Sequence, residues 1–263
     1  MTSGIDPEEN FRIIKQAAHD AKANGAAMLF TPEMALLLDR NRKRADQAMS
    51  CDYATYPNKL NALAGNIGID IAIGSMPVAL SKGKLANRAH FFRANGEVGG
   101  TYDKIHMFDV ELATGESWRE SAAYEPGREV SVIDGTPLGR LGLTICYDLR
   151  FPDLFSVLGQ RRCDAIAVPA AFTRPTGEAH WHVMLRARAI EASAFVFAAA
   201  QVGKHEDGRA TYGHSLVIDP WGEVLLDMGG DVPGLGYCEV DLTRIAEVRS
   251  QVPSLANARK IPN

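Results

Sequence analysis

The stretch Arg140-Leu-Gly-Leu-Thr-Ile-Cys-Tyr-Asp-Leu-Arg-Phe-Pro-Asp-Leu154 changes character at Cys146. Up to Ile145 the apolar side chains alternate, as in a strand. After Cys146 the residues read as a tight turn and then a helix. A strand that delivers a thiol to its C-terminal end places it at the rim of a sheet. There it lies beside free backbone N–H groups of the turn and the incoming helix. Such groups favour negative charge and can stabilise a thiolate, or an oxyanion on a carbonyl the sulfur has attacked. The other reading is a buried small hydrophobe, which is what most free cysteines are. Strand and turn alone leave both open.

Similar units lie on either side. Asp6 and Pro7 open a helix that runs to Asn24, with Phe11, Ile14, Ala18 and Ala21 at helical spacing and Gly25 as its stop. A short strand, Ala26 to Phe30, leads into Thr31-Pro-Glu33. A second helix is expected over Pro57 to Gly65. Strands are expected over Ile69 to Pro77, Leu85 to Ala94 and Glu97 to Asp103. Residues from Lys104 to Gly127 have no clean period, and long irregular loops of this kind are often functional. Further strands follow at Glu129 to Ile133, Arg140 to Ile145, Asp164 to Val168 and Phe195 to Gln201. A helix from Glu178 to Ala194 is expected to bury Val183, Ala187, Ile190 and Ala194. His214 to Asp219 and Glu223 to Asp227 read as a hairpin, and Gly236 to Val240 as a last strand before a terminal helix. Strands and helices alternate without a break in composition, which predicts one α/β domain over residues 1–263.

The chain is 46% hydrophobic and 23% charged with a net charge of −4, enough apolar material for a large core. That charge gives no support for nucleic-acid binding. The basic cluster Arg40-Asn-Arg-Lys-Arg44 is short and reads as a solvated loop. Cys51, Cys146, Cys163 and Cys238 match neither zinc nor redox spacing and are read as reduced thiols of a cytoplasmic protein. No apolar run approaches the ~20 residues of a membrane span.

Glu33, Lys104 and Cys146 all sit just past strand ends, where ligands collect in open α/β sheets. A carboxylate to take the thiol proton, an ammonium to stabilise negative charge and a sulfur to attack a carbonyl could act as a unit. Separately, Glu33 could pair with a surface lysine and Lys104 could be solvated. Phe30-Thr-Pro-Glu33, Tyr102-Asp-Lys-Ile-His-Met-Phe-Asp109 and Gly142-Leu-Thr-Ile-Cys-Tyr-Asp-Leu-Arg-Phe-Pro152 resemble the three signature blocks of the nitrilase superfamily of carbon–nitrogen hydrolases, in order and spacing. The resemblance implies a four-layer α-β-β-α sandwich and a set of roles. Cys146 is the nucleophile and Glu33 the general base. Lys104 stabilises the oxyanion with help from the Tyr147 N–H. Glu120, in Trp118-Arg-Glu-Ser121, matches a second glutamate that positions substrate and lysine, with Glu116 and Glu125 as nearby competitors.

Ala170-Ala-Phe-Thr-Arg-Pro-Thr-Gly177, Ala179-His-Trp181 and Tyr212-Gly-His-Ser215 are similar to the Nit branch of that superfamily. This implies hydrolysis of a small amide, deaminated glutathione foremost, with 2-oxoglutaramate as the alternative. Arg150 then matches an anchor for an α-keto-acid carboxylate, against a plain salt bridge to Asp148 or Asp153. Phe172 and Thr176 match substrate-contacting positions, although Phe172 could be core. The resemblance implies a homodimer or larger assembly and no cofactor. A metal site is not expected, because His180 and His182 diverge on a helix and His106 and His214 have no ligand pattern. The family usually begins with a strand ahead of the segment that starts here at Met1-Thr-Ser-Gly-Ile5. That first strand is therefore expected to be missing from the sheet.

Overall fold

Asp6 caps the first helix, its carboxylate accepting the Glu8 N–H at 2.9 Å, and the helix α1 (Pro7–Ala23) follows with Pro7 in its first turn. These are features of a computed structural model that describes residues 1–263 except Cys51, Thr114, Glu116 and 260–263, and Lys82 without its side chain. β1 (Met28–Phe30) comes next, then α2 (Arg42–Met49), α3 (Tyr56–Ile67), β2 (Asp70–Ala79), β3 (Leu85–Phe92) and β4 (Val98–Asp103). β1 to β4 form a sheet in chain order, β1 parallel to β2 and the other pairs antiparallel. A small hairpin, β5 (Asp109–Glu111) with β6 (Ser117–Arg119), occupies part of the loop that had no period.

The second half repeats the plan. It contains β7 (Val132–Thr136), β8 (Gly139–Leu143), α4 (Pro152–Gln160), β9 (Ala165–Ala167), α5 (Arg174–Ala192) and β10 (Phe195–Ala198). A small hairpin of β11 (Val202–Lys204) and β12 (Ala210–Tyr212) precedes β13 (Leu216–Ile218), β14 (Val224–Asp227) and α6 (Thr243–Gln251). The six-stranded sheet has the order β14-β13-β10-β9-β8-β7, with β8, β9 and β10 parallel.

The apolar periods explain the layering. Ile14, Ala18 and Leu60 of α1 and α3 pack on Ile71, Ile73 and Phe92 of the first sheet. Leu154, Leu158, Trp181 and Leu185 of α4 and α5 share a second core with Ile166 and Val196. Between the sheets, Phe30 stacks on Phe197 with ring centroids 4.7 Å apart. The result is the expected α-β-β-α sandwich. Both central layers are buried on two faces, which is why β2 and β10 read as nearly continuous apolar runs.

Gly74 of β2 lies close to the Thr31-Pro32 turn and to Pro169, which follows β9 of the other sheet. Its N–H donates to Thr31 Oγ1 at 3.0 Å. A Cβ there would collide with the Thr31 and Pro32 carbonyl oxygens from one side and the Pro169 ring from the other. No side chain larger than hydrogen fits without moving a sheet.

Several expectations are corrected. On α5 the buried stripe is Trp181, Leu185, Arg188, Ala189 and Ala192, while Val183 and Ile190 are 62% and 49% exposed. Val183 and Ile190 share a face at helical spacing, but that face points away from the sheet. Gly236 to Val240 forms no strand. That segment runs along a cavity of about 1000 Å³ whose other wall includes β1 and Phe197–Ala200, and it pairs with no strand among the described residues. The basic cluster is not a loop, since Asn41 caps α2 and Arg42 to Arg44 begin it. No described helix is long and apolar enough to cross a membrane.

Candidate active site

The four C-terminal strand ends that matter converge between the sheets. Glu33 follows β1 by the turn Thr31-Pro32. Lys104 follows β4, its backbone held by bonds from its N–H to Asn87 O (2.9 Å) and from Gly127 N–H to its own carbonyl (2.7 Å). Cys146 follows β8 from the other sheet, and Ala171 follows β9. Cys146 has φ +48°, in the left-handed region that non-glycine residues enter mainly under constraint. Its N–H donates to Pro169 O at 2.8 Å, and this contact with the neighbouring strand fixes the turn.

Asp148 secures that turn to the Lys104 loop. Its buried carboxylate accepts bonds from Tyr102 Oη (2.7 Å), Ile145 N–H (2.9 Å) and His106 N–H (3.0 Å), and lies 2.7 Å from His106 Nδ1. The His106 ring stacks on Phe151 at 3.6 Å. Sequence and packing thus place sulfur and ammonium together through a residue inside the Cys146 motif.

The Lys104 ammonium is 2% exposed and sits between two carboxylates. Nζ donates to Glu33 Oε1 at 2.9 Å and to both oxygens of Glu120 at 3.1 and 2.8 Å. Glu33 Oε2 accepts the Ala171 N–H at 3.0 Å, and Cys146 hydrogen-bonds to the same carboxylate. Asn87, in the middle of β3, donates from Nδ2 to Glu33 Oε1 (2.9 Å) and Glu120 Oε1 (3.1 Å). Phe108 N–H donates to Glu120 Oε2 at 2.7 Å. Of the three glutamates weighed for this place, Glu120 occupies it. Glu125 is exposed and donates its backbone N–H to Leu85 O. Glu116 lies outside the described residues.

The electrostatics follow from burial and charge. Burial raises the Glu33 carboxyl, but the Lys104 charge and the bonds from Cys146, Lys104 and Asn87 outweigh it and hold the group below the usual glutamate range. Burial works against the Lys104 ammonium, yet Glu120 and Glu33 keep it well above the ordinary lysine value. Burial and the Glu33 charge push the Cys146 thiol well above its ordinary value, with Lys104 opposing them in part. The resting state is therefore a neutral thiol beside an ionised carboxylate and a fixed cation. Such a set can deprotonate sulfur during attack and stabilise the resulting oxyanion, but does not hold a thiolate in advance.

The set opens into a cavity of about 950 Å³ also lined by Tyr147, Phe172 and Thr176. Tyr147 N–H donates to no described residue. Phe172 meets both readings made of it: it lines the cavity and packs on Trp181 with ring centroids 4.8 Å apart. Thr176 Oγ1 lies 2.8 Å from Thr173 Oγ1. Arg150 pairs with neither Asp148 nor Asp153. Its guanidinium nitrogens lie 3.3 Å from His180 Nδ1, and its Cζ lies over the rings of Tyr147 (5.9 Å) and Phe172 (5.5 Å), outside the cavity lining itself.

Asn87 and Asp148 are the supporting residues that sequence reasoning missed. A polar amide inside the apolar run of β3 was the available signal for the first. The fold also brings together histidines that the sequence left apart. His182 Nε2 lies 3.0 Å, and His214 Nδ1 2.9 Å, from the Asp227 carboxylate. These three offer donor atoms within 4.8 Å of one another. Asp227 also accepts the Gly229 N–H, and hydrogen bonds alone account for the cluster. None of the three lines the cavity.

The carbon-nitrogen hydrolase family model matches residues 1–250. The chain belongs to the carbon-nitrogen hydrolase family. A deaminated glutathione amidase of Yersinia enterocolitica is 38% identical over 262 residues, covering 98% of this carbon-nitrogen hydrolase and 91% of the relative. The NitFhit protein of C. elegans superposes with a TM-score of 0.88 at 34% identity over 98% of the chain, which spans only 63% of that longer protein. An amidase from Nesterenkonia, in a structure described as carrying acrylamide added to its active-site cysteine, gives a TM-score of 0.79 at 25% identity over 96% of this chain and 95% of that one. This carbon-nitrogen hydrolase is accordingly an amidase of the nitrilase type, and its shared fold spans nearly the whole chain.

Proposed function

We propose that the chain hydrolyses deaminated glutathione through a thioester on Cys146. The observation that carries the chemistry is the meeting of Glu33, Lys104 and Cys146 in one buried cluster. An amide is a poor electrophile, and covalent catalysis splits its hydrolysis into two easier steps. Glu33 takes the thiol proton as sulfur adds to the amide carbon. The oxyanion accepts hydrogen bonds from Lys104 Nζ and Tyr147 N–H. Glu33 passes the proton to the departing nitrogen, the C–N bond breaks and the thioester remains. Water then gives a proton to Glu33 and its oxygen to the carbonyl carbon. The second tetrahedral intermediate collapses, the C–S bond breaks and sulfur recovers the proton. Glu120 acts on Lys104, holding Nζ with both oxygens so that the ammonium points at the reacting carbonyl.

Support for the substrate comes from the relatives' names and from the size of the cavity, about 950 Å³, at the upper end of ordinary ligand sites. Arg150 is assigned the carboxylate of the α-keto acid, since its guanidinium has no acid partner among the described residues. Phe172 and Thr176 form the wall beside it. The test compares two substrates on one preparation. kcat/KM for deaminated glutathione is expected to exceed that for 2-oxoglutaramate. The reverse order would make the chain an ω-amidase, and turnover of neither would remove the reading.

We read the enzyme as a cytoplasmic homodimer or larger assembly. Cys146, Cys163 and Cys238 are free thiols, which suits a reducing compartment. Val183, Ile190, Trp221 and Leu225 are each more than 40% exposed on α5 and the β13–β14 hairpin. Arg186 Nε bonds to Gly222 O and ties these two elements together. An apolar face of this kind marks an association surface. Sedimentation velocity is expected to show a species heavier than 28.5 kDa, and a monomer at assay concentration would exclude the assembly.

A further inference from the structure

Eight charged side chains line the catalytic cavity: Glu33, Asp39, Arg40, Arg42, Lys104, Arg119, Glu120 and Arg209. Seven are paired within the chain. Lys104 holds Glu33 and Glu120. Asp39 pairs with Arg44, Arg42 with Asp46, Arg119 with Glu111, and Arg209 with Asp207. Arg42 also donates from Nη1 and Nη2 to the Ala123 and Gly83 carbonyls. The Arg40 guanidinium alone has no hydrogen bond or ion pair among the described residues.

The Arg40 side chain is exposed, and its backbone is held. The buried Asp207 carboxylate accepts the Arg40 backbone N–H at 2.9 Å while binding the Arg209 guanidinium at 2.7 and 2.6 Å. Asp207 thus anchors the Arg40 backbone, and its charge is met by Arg209. The Arg209 Cζ in turn lies 4.9 Å over the Trp118 ring. Gly208 (φ +88°) leaves room for the side chain, because a Cβ at that position would lie 3.3 Å from Arg40 Nη2. One acid fixes the backbone of Arg40 and the guanidinium of Arg209, and among the charged side chains of the cavity lining Arg40 is the one without a partner in the described residues.

We propose that Arg40 is an anion subsite, which reads a second carboxylate on the substrate remote from the scissile amide. An arginine fork is suited to a carboxylate, and such charge-assisted pairs are stronger than neutral hydrogen bonds. This inference rests on the proposed function and extends it. Deaminated glutathione carries two carboxylates, one on the α-keto acid and one on the terminal glycine. Arg150 is assigned the first, and Arg40 takes the second, on the leaving-group side. An ω-amidase substrate with one carboxylate would not use it.

The experiment compares deaminated glutathione with its glycinamide analogue, in which the terminal carboxylate is an uncharged amide. The wild-type enzyme is expected to prefer the acid by roughly tenfold or more in kcat/KM, expressed in KM. Arg40→Ala is expected to reduce that preference to near unity, and Arg40→Lys to keep part of it. Arg119→Ala, which removes a cation already paired, serves as the control for the general field of the cavity and should keep the preference. An equal loss on both substrates, an unchanged preference, or the same collapse in Arg119→Ala would overturn the assignment. Calorimetric binding of the two compounds to Cys146→Ala, with and without Arg40→Ala, makes the same comparison without turnover. If wild type hydrolyses neither compound, the proposed function fails, while equal binding of acid and amide removes the subsite independently.

Discussion

Replacing Cys146 by alanine is expected to lower kcat by at least about 10⁴-fold, because loss of a covalent nucleophile leaves only binding and oxyanion stabilisation. Mass spectrometry of the wild-type protein, quenched during turnover, should show one acyl group on the peptide containing Cys146. The Cys146→Ala protein should show none. Cys163 and Cys238 are separate thiols outside the cluster and should remain unmodified by substrate. Because the thiol is held protonated beside Glu33, Glu33→Gln should impair acylation nearly as much, although the sulfur remains in place. Acyl transfer at the wild-type rate in Glu33→Gln would show that sulfur needs no base, contrary to the proposed mechanism.

Lys104→Ala is expected to cost roughly 100- to 1000-fold in kcat, the usual effect of losing a preorganised oxyanion donor. The larger signature is in pH. In the intact site Lys104 helps hold Glu33 below the glutamate range, so the base stays ionised and the acidic limb of kcat/KM lies below the ordinary range of a glutamate. Removing the ammonium leaves Glu33 and Glu120 sharing the Asn87 amide as donor. Two like charges in a buried site raise the pKa of one of them. The base then requires a higher pH to lose its proton, and the acidic limb moves up. The stability sign agrees. A carboxyl with a lowered folded pKa contributes stability that is complete above its unfolded value and is lost as pH falls through the folded one. Lys104→Ala should therefore melt lower near neutral pH. Near-normal turnover, or an acidic limb that stays in place, would remove the role given to Lys104.

Much of the candidate site was legible because the residues proposed to react occupy strand ends. Glu33, Lys104 and Cys146 each follow a strand, and Glu33 and Cys146 follow apolar ones; a strand that stops at a polar residue marks where a sheet meets solvent or ligand. Glu120 could not be separated from Glu116 and Glu125 by sequence, because a loop without a period assigns no direction to its side chains. Its place depends on bonds to Lys104, Asn87 and Phe108. Asn87 was hidden by its setting, since a residue in mid-strand is read first for the layer it packs into. Val183 and Ile190 illustrate the opposite error. Helical spacing identified a shared face but not the side of the helix that meets the sheet. Gly236–Val240 had a strand's composition, but a strand also needs a neighbour. Arg40 was read by charge density as solvated, and it is exposed; its proposed role rests on the pairing of the other charged side chains that line the cavity.

Glu33 belongs to one sheet and Cys146 to the other, so the reach from base to sulfur depends on the interval between layers. Gly74 sits in that interval, pressed between the turn that carries Glu33 and the Pro169 residue that holds the Cys146 backbone. The gauge of the proposed catalytic pair is therefore set at a residue that contributes no atom to the proposed chemistry. A methyl group there would act as a wedge, parting base from nucleophile while both remain present and correctly charged. Part of this enzyme's competence resides in a side chain it does not have.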